Sequence, residues 1–192
     1  MLNFPDIKKS KLRKKLLGYF FANSQANLYV REASFILKED AGNLSKELGR
    51  LEKDGIFVSN IRGRQKYFSL NREYPLYDEL KSVISKTVGI EGSLKGIISV
   101  DTGIKAAFIY GSFAQNKETN SSDIDLLIIG KPDENNLMDK LDALEKSVGR
   151  EINYTCYSEK DFSAKVKGNS SFIANIIKRP KIILKGSLSE YR

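Results

Sequence analysis

Histidine and tryptophan are absent from this 192-residue chain, and cysteine and proline are scarce, at one and four. Without histidine there is no imidazole acid or base, no Ser-His-Asp triad and no mixed Cys/His metal site. The lone Cys156 excludes an intrachain disulfide and a multi-cysteine zinc centre. It falls in a strand-like run with no neighbouring cation in sequence, so a buried, inert thiol is expected. No apolar run approaches bilayer-spanning length, and Met1 to Pro5, ahead of a basic cluster, lacks a signal-peptide core. A cytoplasmic protein with no membrane partner is therefore expected. Any metal it binds must use oxygen ligands, which favours magnesium or manganese.

What is present is ordinary in amount and uneven in placement. Hydrophobic residues make up 41% and charged residues 29%, as in a soluble globular protein of one or two small domains. The net charge of +8 is lopsided. Residues 1–88 hold 17 Lys and Arg against 10 Asp and Glu, whereas residues 89–192 hold 15 against 14. A basic half joined to a near-neutral half suggests that the first half meets a polyanion.

The first half carries helical periodicity, then strand-like runs. Leu12, Leu16, Tyr19 and Phe20 give residues 8–22 one apolar helical face, so Tyr19, Phe20 and Phe21 are expected in a core. Residues 28–37 predict a second short helix with Val30, Ala33, Phe35, Ile36 and Leu37 on its buried side. A third, over about 43–54, has Leu44, Leu48 and Leu51 on one face and stops at Gly55. Two strand-like runs, 56–61 and 65–70, flank Arg62-Gly63-Arg64.

The run from Ala41 to Ile56 resembles the recognition helix of winged-helix regulators of the ArsR and MarR kind, and Arg62 to Leu70 resembles their wing. The resemblance covers residues 8 to 75. It implies a helix in the major groove of double-stranded DNA, with Asn43, Ser45, Lys46 and Arg50 as groove contacts. Arg62, Arg64 and Lys66 would then contact phosphate or the minor groove. It also implies a homodimer. A linking helix over 74–84, with Leu80, Val83 and Ile84 apolar, and a hinge over 89–93 are expected to follow.

The second half is organised around Phe108 to Ile129. An apolar run, Ala106 to Tyr110, is broken by Gly111-Ser112; a polar loop follows, and Asp123 and Asp125 head a second apolar run. Side chains two apart on a strand share a face, so the two carboxylates emerge together from a segment otherwise made for burial. Paired acids there call for a cation, and a divalent metal carrying phosphates would supply it. Gly111 permits close backbone approach, and Ser112 offers a hydroxyl and an amide nitrogen.

This pattern, Gly111-Ser112-x-Ala114 followed by Ser122-Asp123-Ile124-Asp125, resembles the signature of the DNA polymerase beta-type nucleotidyltransferases in their minimal form. The resemblance covers residues 95 to 157. It implies NTP binding at Gly111 and Ser112 and Mg2+ (or Mn2+) at Asp123 and Asp125, both of them catalytic. The family's frequent second glycine is replaced by Asn116. On the expected third strand, 151–157, Asn153 stands where a third carboxylate is expected, and Glu151 lies two residues earlier on the same face. Glu151 is either the substitute base or a solvated end residue. Helices over 134–148, with Leu137, Leu141, Leu144 and Val148 apolar, over 159–166 and over 170–177, and an edge strand over 181–185, complete this half.

The expected architecture is α/β of the α+β kind. A winged helix-turn-helix domain over 1–88 precedes a small mixed-sheet nucleotidyltransferase-type domain over 89–192. The leading expectation for function is a DNA-binding transcriptional regulator whose second domain binds NTP and Mg2+. Two others stay open: an active enzyme transferring NMP from NTP to a protein, RNA or small-molecule hydroxyl, and an antitoxin-like interaction partner.

Overall fold

The computed structural model describes residues 10–115, 122–168 and 170–191. They form an α+β architecture in two compact units, Met1–Ile90 with Ser147–Gly149, and Glu91–Lys146 with Arg150–Arg192. Among the described residues no helix is long and apolar enough to cross a membrane.

The first unit begins with α1, Lys11–Ala22, which starts where the Ser10 hydroxyl accepts the Arg13 amide at 3.0 Å. Residues 8 and 9 of the expected helix lie outside the described residues. Leu28–Tyr29, expected to be helical, instead form a short strand, β1, paired with Phe68 and Tyr67. Helix α2, Val30–Leu37, follows it, and α3, Ala41–Lys53, is capped by Asp40, whose carboxylate accepts the Asn43 amide at 2.8 Å. Strands β2, Phe57–Arg62, and β3, Gln65–Leu70, make a hairpin, giving an antiparallel sheet of order β1-β3-β2. Gly63 opens its two-residue loop with φ +61°, a left-handed conformation that glycine adopts without strain.

Leu16, Leu17, Phe20, Leu44, Leu48, Leu51 and Phe57 fill the core, each contributing about 1.5–3 kcal/mol by burial. Phe35 does not join them and is 85% exposed. Ala33 and Leu37, one turn apart, define the buried stripe of α2, and position 35 falls across the helix from it. The linking helix α4 spans Tyr77–Thr87, with Leu80 and Ile84 buried but Val83 exposed. The expected hinge is not a loop: Ile90–Val100 is a helix, α5.

The second unit is a four-stranded mixed sheet of order β6-β5-β4-β7. Strand β4 is Ile104–Tyr110, β5 is Ile124–Gly130, β6 is Ile152–Tyr157 and β7 is Ile182–Lys185. Only β5 and β6 run parallel, joined by the crossover helix α7, Glu134–Val148, on which Leu137, Leu141, Leu144 and Val148 are all buried. The central strands β4 and β5 are buried almost throughout, as strands covered on both faces must be. On one face Ala106, Phe108, Leu127 and Ile129 pack with Phe162 of α8, Glu159–Lys167, and with Ile173 and Ile176 of α9, Ser171–Lys178.

Candidate active site

The site lies where the two central strands end together. Strand β4 finishes at Tyr110, and the chain turns at once through a single helical turn, α6, Gly111–Ala114. Gly111 has φ +75°, and a Cβ built on it would fall inside contact distance of Asp125 Oδ2. The glycine is required twice, by backbone conformation and by the carboxylate packed against it. Ser112 is half-buried, and its carbonyl accepts the Gln115 amide at 3.2 Å.

Strand register sets the rest. Asp125 pairs with Tyr110 across the antiparallel ladder and with Asn153 across the parallel one, so the three stand in a row on one sheet face. Asn153 Nδ2 donates to Asp123 Oδ2 at 3.1 Å. Asp123 is exposed just before the strand, and Asp125 is half-buried. Among the described residues neither aspartate forms an ion pair. Burial first, and the Asp123 charge second, push the Asp125 carboxyl above its ordinary value. Burial also raises the Tyr110 phenol, opposed by its hydrogen bond with Thr155 and reinforced by the Asp125 charge.

These features define what the site can hold. A half-buried carboxylate, Asp125, beside a second one, Asp123, whose partner is an amide, is costly until a cation neutralises it. Aspartate oxygens suit a hard divalent ion. Among the described residues no group of three or more His, Cys, Asp or Glu side chains stands ready to cage a metal. The two aspartates would supply part of such an ion's oxygen ligands, and water or phosphate oxygens would supply the rest.

Among the described residues Glu151 completes no three-acid metal cluster with the aspartates. It is exposed and precedes β6, and its carbonyl accepts the Ile124 amide at 2.9 Å. Asn116 lies outside the described residues. Cys156 is half-buried, and burial, with Glu134 second, raises its thiol, which disfavours the thiolate. Sequence reasoning missed Tyr110 as a neighbour of the acids. Its place immediately before Gly111 was the available signal.

The fold and the paired acids beside a glycine turn define a nucleotidyltransferase domain. A family model described as polymerase beta, nucleotidyltransferase, matches residues 93–187. A protein of Methanocaldococcus jannaschii described as a putative protein adenylyltransferase is 34% identical over 80 residues, spanning 42% of this chain and 78% of that one. The chain belongs to the polymerase beta-type nucleotidyltransferase family. Among solved structures, a toxin-antitoxin with AMP-PNP is similar at 13% identity and a TM-score of 0.36, over 53% of this chain and 77% of that one. A structure from Sulfolobus solfataricus described as a putative nucleotidyltransferase is similar at 17% identity and a TM-score of 0.26, over 48% and 73%. Likeness at this level carries no inference about activity or partners.

These matches correct the expectation of a DNA-binding transcriptional regulator, because the family and the relative both describe nucleotidyl transfer. The basic surface behind that expectation is also less free than its sequence suggests. Arg50 bonds Glu47 at 3.2 Å, Lys66 bonds Glu52 at 2.6 Å, and the Arg62 guanidinium lies 5.4 Å from the centre of the Tyr67 ring. Asn43, Ser45, Lys46 and Arg64 are exposed. A local excess of positive charge in sequence is thus partly neutralised by acids that folding brings alongside.

Proposed function

We infer that the protein is a nucleotidyltransferase that moves AMP from ATP to a hydroxyl group of a protein acceptor. The packing of Asp125 against Gly111, with Asp123 two residues before it, carries the reading, since it supplies paired anionic ligands beside a glycine turn. The choice of AMP and of a protein acceptor draws its support from the adenylyltransferase relative. In the reaction the acceptor oxygen bonds to the α-phosphorus, the bond to the bridging oxygen breaks, and pyrophosphate leaves. Asp123 and Asp125 would hold Mg2+, which neutralises phosphate charge when bound. Asn153 fixes Asp123 by its hydrogen bond, and Gly111 and Ser112 approach the triphosphate through backbone amides. Glu151 is the candidate to accept the hydroxyl proton.

The first unit matches the order of a winged helix, with its helix, strand, two helices and hairpin, which supports domains at 1–88 and 89–192. The test is incubation of the protein and Mg2+ with ATP labelled at the α-phosphate, beside an Asp123→Ala/Asp125→Ala control. Protease-sensitive label that depends on the aspartates is the expected result. Failure to bind Mg-ATP at all would sink the reading.

A further inference from the structure

The geometry points to the aromatic pair Tyr110 and Phe172 as a platform for the nucleobase of the bound nucleotide. This rests on the nucleotidyltransferase reading and adds a subsite to it. Phe172 is the second residue of α9, whose buried stripe is Ile173 and Ile176. It lies off that stripe and keeps 42% of its surface accessible. A single exposed phenylalanine needs no explanation on its own. Its neighbour gives it one.

Phe172 meets Tyr110 edge to face, with ring centres 5.9 Å apart and planes at 85°. Tyr110 in turn stands opposite Asp125, so the ring pair begins one strand away from the acids that would hold the triphosphate. Tyr110 shares a side-chain hydrogen bond with Thr155 and packs against the core beneath α8 and α9. The pair thus offers an apolar, partly accessible, aromatic surface at one end of an otherwise polar site. A base is the flat, weakly polar part of a nucleotide, and its phosphates are the charged part. With the phosphates at Asp123, Asp125 and Gly111, the base would find its complementary surface at Phe172. Stacking of this kind holds any base, because each has a π-face.

The test separates the base from the phosphates. Equilibrium binding with Mg2+ is measured for ATP and for inorganic tripolyphosphate, on the full chain and on the Phe172→Ala, Phe172→Tyr and Asp125→Ala variants. Phe172→Ala is expected to weaken ATP about tenfold or more and to leave tripolyphosphate unchanged, which also reports an intact fold. Phe172→Tyr restores ATP binding, and Asp125→Ala weakens both ligands. Because the chain has no tryptophan, Phe172→Trp adds a single indole whose fluorescence ATP, but not tripolyphosphate, should quench. Equal effects of Phe172→Ala on both ligands, or none on ATP, would overturn the platform while leaving the nucleotidyltransferase reading intact. If the unaltered protein binds neither ligand, both readings fall together.

Discussion

Two sets of acids in this protein meet opposite fates. In the first unit Glu47 is buried on α3 and bonds the buried Arg13 of α1, with Arg50 as a second partner. In the second unit Asp125 is half-buried, faces Asp123, and has no cation beside it among the described residues. The first arrangement is complete and holds helices together. The second sets two carboxylates side by side, which makes them a candidate site for a cation. Charge neutralised within the fold contributes to structure, and charge left over is available for binding.

The contrast can be broken most directly at Glu47. Glu47→Ala leaves Arg13 buried without its main partner and should destabilise by about 3–5 kcal/mol, read as a lower midpoint in urea. An unchanged midpoint would mean that the buried pair is not structural. Asp125→Asn should do the reverse. Removing its charge relieves burial and the repulsion from Asp123, so the metal-free melting temperature should stay level or rise, while AMP transfer falls at least about 100-fold. A clear loss of stability in that variant would put Asp125 in the same class as Glu47.

Gly111→Ala comes next. Its Cβ would collide with the Asp125 carboxylate at a positive φ, and a cost of about 1–3 kcal/mol with loss of Mg-ATP binding is expected from melts and calorimetry. The smallest effect is at Glu52. The Lys66 hydrogen bond first, and that from Ser59 second, hold its carboxyl below the ordinary value. A folded pKa below the unfolded one gives stability that is present above the unfolded value and lost as pH falls through the folded one. Thermal melts of Glu52→Gln should therefore lie below those of the unaltered protein near neutral pH by at most about 1 kcal/mol. The gap should close on acidification.

Much of this was legible in residue order. Leu44, Leu48 and Leu51, and Leu137, Leu141, Leu144 and Val148, announced their helices because helical burial repeats every three to four residues. The strand-turn-strand segment that carries Gly111, Ser112, Asp123 and Asp125 was legible because its spacing is local. Phe35 misled because apolar character alone does not place a residue on the buried stripe. Leu28 and Tyr29 misled because their strand exists only through a partner far along the chain, at Phe68 and Tyr67. The basic surface misled because Glu47 and Glu52 look solvent-facing in a linear pattern and are drawn into ion pairs by folding.

By itself, the sequence determined the metal chemistry open to this protein, since a chain without histidine and with one cysteine has only oxygen ligands to offer in number. It also determined the nucleotidyltransferase family, because a glycine turn and a spaced acid pair are short-range features. The tertiary structure alone decided which charges are paired within the fold and what surrounds the others. Asn153 beside Asp123, Tyr110 opposite Asp125, and Phe172 over Tyr110 are neighbours made by strand register and helix packing. The physical reason is range. Periodicity and turn chemistry act over a few residues, whereas pairing across a sheet joins positions that only the folded chain brings together.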